Sequence, residues 1–84
     1  MEMIDSFEKW KKYLGKSVII AQKTGFSEEQ IVEVAGKLGD FLADKVDPAN
    51  REQRLLKELW EVGDEQDRKT LAKLITRMVE EEEE

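Results

Sequence analysis

The chain predicts an all-α protein, and three observations carry that reading. Apolar residues recur at helical spacing in four successive segments, each segment is bounded by helix-capping residues, and no alternating strand pattern competes with them. The expected architecture is a compact four-helix domain with short turns, its helices covering about residues 6–24, 28–45, 49–62 and 65–80. Residues 1–79 would form the single helical domain and residues 80–84 a frayed acidic tail. With 84 residues there is room for one modest core and none for separate catalytic and binding halves.

Asp5 followed by Glu8 has the spacing of a capping box that opens the first helix, where Phe7, Trp10, Leu14, Val18 and Ala21 share a face and Gly25 supplies the stop. Ser27 with Gln30 makes a second capping box, and Phe26 with Ile31 is spaced as a hydrophobic staple. Asp47 and Pro48 read as cap and first-turn proline of the third helix, which runs through Leu55, Leu56, Leu59, Trp60 and Val62 to Gly63. Asp64 caps the fourth, in which Leu71, Leu74, Ile75, Met78 and Val79 form an apolar stripe opposite Lys69, Lys73 and Arg77. Short connections force consecutive helices to be neighbours. The run Glu80 to Glu84 sets negative charge against the negative end of the last helix dipole, so it is expected to fray.

The inventory excludes much chemistry. There is no cysteine and no histidine, which removes disulfides, thiol nucleophiles, imidazole bases and nearly all zinc sites. Among carboxylates, Asp64, Glu65 and Asp67 are the densest set, but they sit where a helix N-terminus favours acids, and their spacing is not that of a calcium loop. Neither an enzyme nor a metal or cofactor requirement is expected. Trp10 and Trp60 lie on apolar faces and read as core. The start, "MEMIDSFEKWKK", has acids where a signal peptide has its basic region, and "VIIA" is too short to cross a bilayer, so a cytoplasmic protein without a membrane partner is expected. Fourteen Lys and Arg against twenty Asp and Glu give a net charge of −6. Five lysines against three acids up to Phe26 make the N-terminal helix basic and the remainder acidic. Abundant Glu and Lys also fit a thermophilic source.

Two glycines, Gly36 and Gly39, interrupt the second helix at about 1 kcal/mol each relative to alanine, so each calls for a reason. On a wheel of about 100° per residue centred on Ile31, the core face holds Val34, Ala35, Leu38, Phe41, Leu42 and Val46. Val32, Gly36, Gly39 and Ala43 adjoin it, so more than half the helix is apolar or small. Val32, Ala35, Gly36, Gly39 and Ala43 therefore read as a surface on which a second backbone lies closely. Its occupant is another helix of the chain, a homodimer partner or a small ligand.

Lys9, Lys12, Lys16 and Lys23 form a basic stripe on the first helix, either a solvated face or a surface for an acidic partner. Ala21, Gly25 and Ile31 match the spacing of a helix-turn-helix, in which the second helix would enter the major groove. The residues it would present are Glu28, Glu29, Gln30 and Glu33, and carboxylates repel phosphate, so nucleic acid is disfavoured.

Taken together, "FEKWKKYLG", "GDFLADKVDPANREQRLLKELWEVGDEQD" and "LAKLI" resemble the YmfJ and YflH type of small helical proteins, a domain-of-unknown-function family of Bacillus and related Firmicutes. The similarity spans about Ser6 to Val79 and leaves out the glutamate tail. It implies a compact all-helical cytoplasmic fold and carries over no catalytic or binding residue. The expected function is a protein–protein interaction module with an unknown protein partner or a second copy of itself. The alternative is a helix-turn-helix-like nucleic-acid binder.

Overall fold

The computed structural model describes residues 6–83, with side chains as far as Glu81. Four helices follow one another: α1 Phe7–Lys23, α2 Glu28–Lys45, α3 Arg51–Val62 and α4 Glu65–Glu83. α4 is the common wall. α1 packs along it most extensively and α2 next, while α3 makes lighter contacts with α2 and α4. The result is a slab of 31 × 31 × 19 Å, about two helices thick.

Each junction is set by local chemistry. Ser6 caps α1, its hydroxyl accepting from the Lys9 N–H at 3.4 Å. The expected Asp5–Glu8 box is not the cap: Asp5 lies outside the described residues, and Glu8 instead pairs with Lys11 at 3.1 Å. The helix ends in a Schellman turn, with Phe26 N–H donating to Ala21 O at 3.0 Å and Gly25 N–H to Gln22 O at 3.1 Å. Gly25 has φ 96°, a conformation glycine adopts without the Cβ penalty. Ser27 and Gln30 then form the capping box of α2 in full.

The third helix starts later than its proline suggests. Asn50, not Asp47, is the cap, and its Oδ1 accepts from the Gln53 N–H at 2.9 Å. Gln53 reaches back to the Ala49 N–H, also at 2.9 Å. With Asn50 accepting from Gln53 and Gln53 in turn accepting from the Ala49 N–H, the first turn forms at Asn50, and Asp47 and Pro48 are left in the connection. Asp64 caps α4 through a reciprocal pair with Asp67, at 2.9 and 3.1 Å. The backbone of α4 stays helical through Glu83, past the expected end near residue 80. Val79, 1% exposed, anchors the last packed turn, and the residues after it can donate to carbonyls four positions back.

The core has two centres. Val18, Ile31 and Val79 form one, with Leu14, Ala21, Ile75 and Met78 packed around it. Val32, Trp60 and Ala72 form the other, with Ala35, Ala43 and Leu71. Thr76 is buried between apolar turns and spends its hydroxyl on the Ala72 carbonyl at 2.8 Å.

Burial on α2 is rotated from the expected face. Ile31 is buried and Ala35 and Leu42 are half-buried, but Val34, Leu38, Phe41 and Val46 are exposed, while Val32 is among the least accessible side chains. α4 shows the same turn of the wheel: Leu74 is exposed, and Ala72 and Thr76 take the inner position. On α2 the small residues Ala35, Gly39 and Ala43 lie on the covered face beside Ile31 and Val32, whereas on α4 Ala72 and Thr76 join Leu71, Ile75, Met78 and Val79 inside.

Candidate functional site

Gly39 explains the rotation. A Cβ built there would lie 2.6 Å from Trp60 Cη2 and 2.7 Å from Cζ2, so the indole occupies the space a side chain would need. What lies against the glycine is a ring of the same chain, not a second backbone. Val32, Ala35 and Ala43 pack in the same cluster with Trp60, so four of the five residues of the small surface are covered by this chain's own helices. Gly36 differs, since a Cβ there would meet nothing within 4 Å.

Trp60, 5% exposed, is held by polar bonds as well as packing. Its Nε1–H donates to Asp40 Oδ1 at 2.9 Å, and Arg68 Nε–H donates to the Trp60 carbonyl at 2.7 Å. Arg68 Nη1 lies 3.5 Å from the same Asp40 oxygen, and its guanidinium sits 6.0 Å from the indole centroid. Asp40 from α2, Trp60 from α3 and Arg68 from α4 thus form a clasp that also satisfies a carbonyl in the last turn of α3. Neither Asp40 nor Arg68 is marked out by the sequence pattern. The tryptophan on an apolar face, with an indole N–H needing an acceptor, was the available signal.

The opposite side of α2 is uncovered. Val34, Leu38 and Phe41 are 57%, 42% and 55% exposed, and their spacing of four then three makes one continuous apolar seam. A second seam on α3, Leu55, Leu59 and Val62, has the same spacing and is also exposed. A third patch is thinner, with Tyr13 and Ile20 on α1. Helical periodicity assigned Val34, Leu38 and Phe41 to the interior because apolar spacing identifies a stripe without saying what covers it.

The lysines Lys9, Lys12, Lys16 and Lys23 are all exposed, and none pairs with an acid among the described residues. Near the N-terminus of α2, Glu29, Gln30 and Glu33 are exposed, whereas Glu28 is tied to Arg77 of α4 by paired bonds of 3.1 and 3.2 Å. The hydrogen bond from Arg77, and then its charge, hold the Glu28 carboxyl below its usual range. A shallow cleft of about 250 Å³ beside it is lined by Glu28, Glu29, Lys69 and Lys73 among others, with charges of both signs at its mouth. The described residues contain no group of acids placed to hold a metal ion, and Asp64 and Asp67 are engaged in capping. No described helix is long and apolar enough to cross a membrane.

These features define a small all-helical protein with exposed apolar seams on α2 and α3. The chain belongs to the family described as protein of unknown function (DUF3243), which matches residues 2–80. It is similar to the uncharacterised protein YflH of Bacillus subtilis (strain 168), 39% identical over 79 residues that cover 94% of this chain and 76% of the relative. It is also similar to the uncharacterised protein YmfJ of the same organism, 29% identical over 80 residues covering 95% and 94% of the two chains. No solved structure matches the chain.

Proposed function

We propose that the protein is a non-catalytic, cytoplasmic interaction module that engages a protein partner through the outer face of α2. The observation that carries this reading is the seam Val34, Leu38 and Phe41, which is exposed on a helix whose inner face packs against Trp60 and α4. Exposing three large apolar groups in line costs solubility unless something covers them, and contiguous patches of this kind mark interaction sites. The helix is also rigidly presented, since its N-terminus is boxed by Ser27 and Gln30 and tied to α4 by Arg77. The experiment is site-specific photo-crosslinking in cells, with a reactive side chain at Leu38 and a control at Lys12. Adducts at position 38 that disappear with Phe41→Glu support the reading. Adducts at position 12 alone would move the site to the basic stripe and defeat it.

The rival reading is nucleic-acid binding, favoured by the tight α1–α2 turn at Gly25. Against it stand the exposed Glu29 and Glu33 and a net charge of −6. A salt-dependent complex with duplex DNA that survives competitor would reverse the order of the two.

A further inference from the structure

Resting on the proposal that the outer face of α2 is a docking surface, we infer that its occupant is a second copy of this chain, with the two α2 helices antiparallel. Charge register selects this pairing. In an antiparallel pair, core residues of one seam face core residues of the other at a constant sum of residue numbers, and the flanking positions meet in the same way. Along α2 the seam runs Val34, Leu38, Phe41 and Lys45, and Lys37 and Asp44 flank it on one edge. When Leu38 of one copy faces Phe41 of the other, Lys37 of each copy falls opposite Asp44 of its partner. Sliding by one heptad in one direction sets Lys37 against its own copy, and sliding in the other sets Asp44 against Asp44. Only the middle register both buries the bulkiest seam residues together and pairs opposite charges on the free edge. The α3 seam lacks this property. The register that buries Leu55 against Leu59 of another copy brings Glu58 opposite Glu58.

The slab is about two helices thick, so pairing across α2 would cover a helix that the chain itself leaves half-clad.

The test is sedimentation equilibrium over a concentration series, with circular dichroism on every variant. The wild type is expected to dimerise, and Phe41→Glu to be monomeric with unchanged helicity. Lys37→Asp and Asp44→Lys each turn both symmetric pairs into repulsions and should weaken the dimer about tenfold. Mixing the two single variants should restore it, because the heterodimer regains both opposite-charge pairs, and the double variant Lys37→Asp/Asp44→Lys should dimerise like the wild type. A wild type that stays monomeric, or charge variants that do not complement, overturns the antiparallel homodimer. If the chain is monomeric yet still crosslinks to another protein through Leu38, self-pairing falls and the docking face stands. A dimer indifferent to Phe41→Glu, without crosslinks at Leu38, sinks both.

Discussion

Gly36 and Gly39 lie one turn apart on α2, and their surroundings have little in common. Gly39 is pressed by the indole of Trp60, with aromatic carbons from 2.6 Å where its Cβ would be, whereas Gly36 borders open space. The same contrast separates the two long faces of the helix: Val32, Ala35 and Ala43 are spent on Trp60 and Ala72, while Val34, Leu38 and Phe41 are not spent at all. Small residues admitted a large aromatic group from α3, and the large residues that a wheel assigns to the core were left outside. Side-chain size therefore decided which face of α2 was covered, because close approach between elements needs small residues on one side of the contact.

The most severe way to break the inner face is Trp60→Ala. It empties the second core centre, strands Asp40 without its indole donor, and should cost about 3–5 kcal/mol in denaturant unfolding. A loss under about 1 kcal/mol would mean that the indole does not organise α2, α3 and α4 as described.

Gly39→Ala is the next test and is paired with Gly36→Ala. The ring against Gly39 is buried and fixed by Asp40, so it has little freedom to give way, and an overpacking cost of about 1–3 kcal/mol should exceed the gain in helix propensity. Gly36→Ala meets nothing and should stabilise by about 0.4–1 kcal/mol. Opposite signs for chemically identical changes sharpen the comparison, and equal signs would erase it.

On the outer face, Phe41→Glu should leave the unfolding free energy of the isolated monomer within about 0.5 kcal/mol, since the side chain it replaces is exposed. A large destabilisation would show that Phe41 belongs to the core. The smallest effect is expected at the tie between α2 and α4. Glu28 has its folded pKa lowered below the ordinary 4.5 by Arg77, so the unfolded state takes up the proton first as pH falls. The stabilisation it supplies is present above pH 4.5 and is lost as pH drops through the folded value. Glu28→Gln should therefore flatten that acid limb slightly and change little near neutral pH, as melting curves at a series of pH values would record.

Much of this architecture was legible in the residues themselves. The number and order of the helices, the Ser27–Gln30 and Asp64 caps, the stop at Gly25 and the core role of Trp60 all rest on contacts within a few residues or on one side chain's chemistry. The caps misplaced by sequence reasoning are those where two polar candidates stand close together. Asp5 and Ser6 compete at α1, and Asp47 and Asn50 at α3, where Asn50 accepts from the Gln53 N–H and Gln53 from the N–H of Ala49. The candidate site was legible only as an ambiguity, an apolar arc too wide for one neighbour.

By itself, then, the sequence determined where helices begin and end and which arcs of them are apolar, because hydrogen bonds to the backbone four residues away and a repeat of about 100° are local properties. Only the tertiary structure decided which arc faces inward. That choice depended on Trp60, twenty-one positions beyond Gly39, reaching across to a residue without a side chain, and on Asp40 and Arg68 meeting there from two other helices. Those contacts join segments far apart in the chain, and periodicity within any one helix carries no record of them.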